Sequence, residues 1–262
     1  MEDKIKTILL TFDIEEFDLP TEFGREISEN EQFEISREGT EKILELLEKN
    51  NIQATFFISA KFAKRYSDLI KKISKNYEVG LHCYEHKDNY SEMDENVAFE
   101  RIKKGKEMIE KIINKKISCF RANRFQPPPY EILSRAGIIY DSSLHPTYIP
   151  GRYNNFFSSR KVFSKNNVKI IPISVSPILR LPIFWLAFRN FPLFYSKYVT
   201  DRNRDYVCLV FHSWEFVDIE KMDLPKLIKR NTGEKLIKKI QEYINAYKEY
   251  NFTTISSYLL TS

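Results

Sequence analysis

Glycine is scarce in this sequence, with 7 in 262 residues, and cysteine scarcer, with 3. Neither GxGxxG nor GxxxxGKS/T occurs, so the usual glycine-rich nucleotide cradles are excluded. Cys83, Cys119 and Cys208 are far apart and odd in number, which excludes a disulfide scaffold and fits a reducing compartment. No apolar run reaches about 18 residues, so no transmembrane helix is expected. The first residues, MEDKIKTILLTFD, carry acids at positions 2 and 3 and no small-residue cleavage site; they do not read as a signal peptide. Neither sign of charge dominates. Forty-one Lys+Arg against 36 Asp+Glu leave +5, too little to indicate nucleic acid but compatible with phosphate-bearing or membrane-surface partners. The expectation is a soluble, cytoplasmic protein with one domain over residues 1–262.

Aromatic residues are plentiful, 20 Phe and 15 Tyr, and short β-branched or aromatic runs alternate with helical patterns. Strands are predicted at 7–13, 53–59, 78–82, 117–121, 138–140, 168–173, 206–212 and 252–255. Helices are predicted at 38–50, 61–74, 94–113, 127–135 and 233–250, the first ended by Asn50-Asn51. Alternating β and α elements demand a parallel sheet, and at this length a barrel is preferred to an open doubly wound sheet.

Chemistry in such folds sits beyond the carboxyl ends of the strands. Asp13, His82, Arg121 and His212 each fall at such an end. In TFDIEEF a period of two puts Asp13 and Glu15 on one side and Glu16 on the other, so one carboxylate can bind a cation while the other accepts a proton. Alone, such a pair is as readily a solvated acidic loop. In LHCYEH, His82 and His86 are four apart, and a helical turn after the strand would stack both imidazoles toward one cation. Glu15 is the economical third ligand, leaving open positions for water or substrate. The pair taken alone is more often a surface or core pair. FRANRF supplies Arg121, which beside Asp13 would lower its pKa and fix its rotamer, and Arg124, suited to an anionic part of a substrate; surface arginines are the plain alternative. VFHSWEF delivers His212, a histidine suited to an acid step, with Trp214 as an apolar wall; a capped core histidine is the plain alternative. His145, the fourth histidine, follows a short strand and loop.

In this order TFDIEEF, HCYEH, FRANRF, YDSS and VFHSWEF resemble the motifs of the polysaccharide deacetylases, the NodB-homology or carbohydrate esterase family 4 group. The resemblance spans residues 11–216. It implies a distorted (β/α) barrel of about seven parallel strands and metal-dependent hydrolysis of an N-acyl group on an amino sugar. By position, Asp13 resembles the catalytic base, His212 the acid, Arg121 the arginine that orients the base, and His82 and His86 the metal histidines. Glu15 is the inferred third ligand, because this chain has Asp-Ile-Glu where many relatives have adjacent aspartates. Asn123 stands where relatives usually have proline.

The function expected is removal of an acetyl or formyl group from an amino sugar, with lipid- or nucleotide-phosphate-linked sugars among the substrates. One divalent metal is expected, zinc first, with cobalt, nickel or iron also accepted. Arg124, Trp214, Asp141 and His145 are expected to meet the substrate. A metal-free allantoinase-like amidohydrolase, a non-catalytic carbohydrate-binding relative and a glycosidase are the alternatives. An apolar and basic insertion at 175–199, broken by Pro182 and Pro192, is read either as helices packed on the barrel or as a peripheral membrane contact through Phe184, Trp185, Phe188, Phe191 and Phe194 with Arg180, Arg189 and Lys197. No nucleic-acid partner is expected, and the sequence leaves the oligomeric state open.

Overall fold

The structure is a computed structural model that describes residues 6–261; Met1–Ile5, on which the leader reading partly rests, and Ser262 lie outside the described residues. The strands are β1 (Thr7–Ile14), β2 (Thr55–Ile58), β3 (Glu78–Leu81), β4 (Cys119–Phe120), β5 (Tyr140–Asp141), β6 (Tyr148–Ile149), β7 (Tyr153–Asn154), β8 (Phe163–Lys165), β9 (Val168–Ile170), β10 (Tyr206–His212) and β11 (Asn251–Phe252). Seven of them run in parallel in the order β10-β1-β2-β3-β4-β5-β9. β8 adds to β9 antiparallel, and β11 fills the edge of β1 below β2. The sheet curls until its ends touch. Ser174, just past β9, donates its N–H to the Cys208 carbonyl at 3.1 Å, and its hydroxyl accepts from Cys208 N at 2.9 Å. This curled, mostly parallel sheet is the barrel that the alternation predicts, distorted as the resemblance implies.

The two-residue period of β1 divides the molecule. Ile8, Leu10, Phe12 and Ile14 point outward into the main apolar core, where helices cover the sheet. Leu9 points inward with Phe57, Cys119, Tyr140 and Cys208, and the helix Ile255–Thr261 plugs this end of the interior with Ile255 and Leu259. Further up β1 the inward positions are Thr11 and Asp13, both buried. The interior thus changes from apolar at the amino ends of the strands to polar at the carboxyl ends.

Several expected boundaries move. The first long helix runs Glu29–Asn50 and begins well before its apolar stripe suggests, because Ser28 caps it by accepting from Glu31 N at 3.2 Å. Asn51 ends it in the left-handed region, as the Asn-Asn pair implied. The second helix is two, Ala60–Arg65 and Ser67–Asn76, broken at Tyr66. Instead of a strand over 252–255, β11 stops at Phe252 and the plug helix follows. Among the described residues no helix is long and apolar enough to cross a membrane.

Candidate active site

At the carboxyl end of β1, Asp13 is buried and accepts from Arg121 Nη1 through Oδ1 at 2.9 Å. Arg121 leaves β4 fully buried, with every nitrogen placed. Nε donates to the Ser142 carbonyl, Nη1 also to Thr11 Oγ1, and Nη2 to Ser142 Oγ, while the guanidinium lies 4.2 Å from the centroid of the Phe57 ring. A buried guanidinium so held fixes the Asp13 rotamer and leaves Oδ2 facing the cleft. The predicted Arg121–Asp13 pair is present.

Glu15, two residues on, gathers both histidines of LHCYEH. Its Oε2 lies 2.8 Å from His82 Nε2 and 3.2 Å from His86 Nε2. No helical turn stacks the imidazoles: residues 82–86 form bends and turns, and loop conformation rather than helical spacing brings the rings together. Asp18 accepts from His86 Nδ1 and so aims Nε2 at Glu15. Burial alone would push Glu15 up, but His86, His82 and His212 outweigh it and hold its carboxyl at about 2. Burial likewise opposes the charge of His86, yet Glu15, Asp18 and Glu16 raise it to about 10. Glu16 turns the other way, as the alternation predicts, accepts from Ser59 Oγ at 2.6 Å and is raised by burial.

Two imidazole nitrogens and a carboxylate oxygen meeting at one point suit a borderline divalent cation by donor type. The Asp18–His86 contact is the outer partner that a metal-binding histidine needs, and His82 Nδ1 is buried without a hydrogen-bond partner. The donors touch each other through hydrogen bonds. Among the described residues no group of three or more His, Cys, Asp or Glu is already spread to hold an ion. The residues fit the group in kind and convergence, and a bound cation would take the place of the imidazolium proton.

His212 ends β10, the strand paired directly with β1, in register with Asp13. Its Nε2 lies 4.0 Å from Asp13 Oδ2 and 4.0 Å from Glu15 Oε1. Its Nδ1 is 3.2 Å from Glu215 Oε1, which also accepts from His212 N at 2.7 Å. Behind Glu215, the fully buried Arg189 brings Nε to 3.2 Å of Oε2. Burial lowers the His212 pKa, but Glu215, Glu15 and Asp13 together raise it above its ordinary value. Trp214 stacks on the ring at 5.5 Å and Trp185 meets it edge-on at 5.2 Å.

These groups floor a cleft of about 230 Å³ whose apolar walls include Phe17, Phe125, Phe184 and Trp185. Arg124 and Trp214 line it. So do Glu22, Arg152 and Tyr153, which no sequence argument had singled out. Arg152 sits in the turn between β6 and β7, and the Pro150-Gly151 dipeptide between tyrosine-bearing runs was the available signal.

Asp141 and His145, expected to meet the substrate, do not line this cleft. Asp141 is fully buried, accepts from Ser143 N and Oγ, and is pushed up to about 6 by burial despite those bonds. His145 is equally buried behind the cleft wall, against Phe125 and Phe184, with Nδ1 on the Tyr153 hydroxyl at 2.8 Å. Burial, with Arg121 adding, pushes it down to about 3. His145 backs the wall, while Asp141 braces Ser143, whose hydroxyl accepts from Ala122 N.

The insertion 175–199 divides its aromatics in a way the sequence does not show. Phe184 and Trp185 face the cleft, Phe188 is core, and Phe191 and Phe194 are exposed. Arg189, expected at headgroups, is the buried partner of Glu215, and Arg180 donates to the Ser158 carbonyl at 2.7 Å.

Residues 1–127 match the polysaccharide deacetylase family. Among curated relatives, a peptidoglycan-N-acetylglucosamine deacetylase of Bacillus cereus is 32% identical over 98 residues, 37% of this chain and 33% of that protein. The matched stretches span a quarter to a third of the curated relatives' own length. Among solved structures, a carbohydrate esterase family 4 pseudoenzyme from Bacillus anthracis has a TM-score of 0.59 at 16% identity, over 98% of this chain and 66% of its own. A Puue allantoinase has a TM-score of 0.64 at 16% identity, over 98% of this chain and 90% of its own. The fold is therefore shared by proteins of different activity, and function has to be argued from the site. The first 127 residues, just under half of the chain, thus resemble the polysaccharide deacetylase family, and β5, β9 and β10, from the remainder, complete the barrel.

Proposed function

We propose that this protein is a hydrolase acting on a carbon–nitrogen bond, removing an acetyl or formyl group from the nitrogen of an amino sugar. One observation carries the reading. Asp13 and His212 face one another at 4.0 Å beside Glu15, each backed by a buried arginine, Arg121 directly and Arg189 through Glu215. Asp13 Oδ2, the oxygen not bonded to Arg121, takes the proton of the attacking water. His212 Nε2 gives a proton to the departing amine, while Glu215 holds Nδ1 and so fixes the ring. Trp185 and Trp214 exclude solvent around that transfer. Glu15, His82 and His86 would hold a divalent cation, zinc by donor type with cobalt, nickel or iron accommodated. Such an ion supplies Lewis-acid polarisation of the acyl carbonyl and of water.

Metal content measured with acyl release tests this reading. Purified protein is expected to carry close to one divalent ion, lost in His86→Ala, and to release acetate or formate from a panel of N-acyl amino sugars. Full activity after exhaustive chelation would retire the metal and leave Asp13 and His212 standing. No acyl release from any sugar would retire the deacylase.

The reading includes a peripheral lipid contact. Ile178, Leu179 and Phe194 are 83%, 66% and 72% exposed, and Lys197 and Arg202 are exposed on the same insertion and the helix that ends it. The three unpaired, buried cysteines support a reducing, cytoplasmic compartment. Co-flotation with anionic liposomes is expected for the wild type and lost in Ile178→Glu, Phe194→Glu; equal flotation of both, or none, removes the contact.

A further inference from the structure

The rim of the cleft carries more positive charge than the deacylation chemistry uses. Arg124, from the turn after β4, and Arg152, from the β6–β7 turn, converge on a single carboxylate. Arg124 Nη2 is 3.2 Å from Glu22 Oε1, and Arg152 Nη2 is 3.0 Å from Glu22 Oε2. Two guanidiniums on one carboxylate leave a surplus of one positive charge. Each arginine spends one terminal nitrogen on Glu22, and among the described residues the Nε and Nη1 groups of both make no hydrogen bond to protein. All three side chains line the same cleft as Asp13 and His212 and are partly exposed, so a ligand can reach them.

The backbone under Arg124 is strained toward this arrangement. Arg124 and Phe125 stand consecutively in the left-handed region, at φ 56° and 57°, though neither is glycine. Such a conformation is disfavoured for any residue with a Cβ and persists only where its surroundings impose it. Asn123 imposes it here by donating to the His86 carbonyl at 2.9 Å, which ties the turn to the loop of the two histidines. The result sends Phe125 into the wall and Arg124 to the rim.

We propose that Arg124 and Arg152 form an anion subsite for a phosphate group carried by the amino sugar, a subsite whose place Glu22 holds in this structure. A phosphate offers tetrahedrally spread oxygens to two guanidiniums at once, including the nitrogens Glu22 leaves unused, whereas a substrate carboxylate would only duplicate Glu22. The inference rests on the deacylase reading only for its amino sugar; the subsite itself is tested by binding, without turnover.

Trp185 and Trp214 are the only tryptophans of the chain and both line the cleft, so intrinsic fluorescence reports occupancy. Titrating the wild type with N-acetylglucosamine 1-phosphate and with N-acetylglucosamine is expected to show at least tenfold tighter binding of the phosphate, weakened by salt. Arg124→Gln and Arg152→Gln should each reduce that preference, and the double variant abolish it. Glu22→Gln should enlarge it by removing the competing carboxylate. Equal affinity for both sugars in the wild type, or a preference that survives in the double variant, overturns the subsite. A dodecyl phosphodiester of the same sugar separates the sources: a further gain over the free phosphate identifies a lipid-linked substrate, and no gain a soluble one. Acetate release is scored separately. Phosphate preference without release keeps the subsite and removes the deacylase, while release without preference does the reverse.

Discussion

Gly39→Ala is expected to destabilise the protein by about 3 kcal/mol, lowering the melting temperature by roughly 10 °C. Helix propensity alone gives the opposite sign, since alanine in a helix interior is favoured over glycine by about 1 kcal/mol. The close approach decides. A Cβ on Gly39 would lie 1.9 Å from the Ser213 carbonyl oxygen and 2.6 Å from its carbon, both backbone atoms that no rotamer change can move aside. The helix Glu29–Asn50 therefore packs backbone to backbone on the turn Ser213–Phe216, which begins directly after His212. Displacing that turn also moves Glu215 from His212, so acyl release should fall along with stability. Gly105→Ala is the matched control. Its Cβ would meet the movable end of the Leu81 side chain at 3.1 Å and Ala60 Cβ at an ordinary 3.5 Å, and little change is expected. Thermal unfolding followed by circular dichroism checks both, and a Gly39→Ala protein as stable as the wild type would contradict the packing.

Asp13→Asn is expected to lower acyl release by about 100-fold or more. The amide keeps the shape and can still accept from Arg121, but it takes no proton from water. The same change leaves Arg121 buried without its counter-charge, so stability falls too, by about 3 kcal/mol. Turnover is therefore compared below the melting transition of the variant. His212→Asn removes the acid instead and leaves the buried Arg189–Glu215 pair intact, so it should show a comparable loss in a better-folded protein. Both variants should retain bound metal, which separates them from His86→Ala. Either variant folded and active at the wild-type rate would refute its assigned role.

The site was legible wherever a strand run ended in a polar residue. Asp13, Arg121 and His212 stand at the mouths of buried strands, where an apolar run hands over to a polar residue. What sequence could not supply was pairing between loops. Asp18 reaches His86 across 68 residues and Arg189 reaches Glu215 from the insertion, contacts that leave no local period. A buried arginine and a surface arginine are spelled alike, so sequence alone points Arg189 toward lipid, and likewise points the buried polar Asp141 and His145 toward substrate. The four-residue spacing of His82 and His86 suggested a helical turn that is absent, because Asp18 and Glu15 orient the rings without one. The start of the first long helix, by contrast, was written in Ser28-Glu29-Asn30-Glu31, a capping pattern that the apolar stripe further along overshadowed.

Acyl release carried out in water enriched in oxygen-18 tests the central claim most directly, that Asp13 and His212 drive the attack of water on an N-acyl carbon. Using a methyl glycoside of whichever N-acyl amino sugar the panel shows to be turned over, so that the anomeric oxygen does not exchange with water, mass spectrometry is expected to find one labelled oxygen in the released acetate or formate and none in the amino sugar. Label on the sugar with the acyl group still attached would mean that a glycosidic bond is cut instead, and would contradict the account.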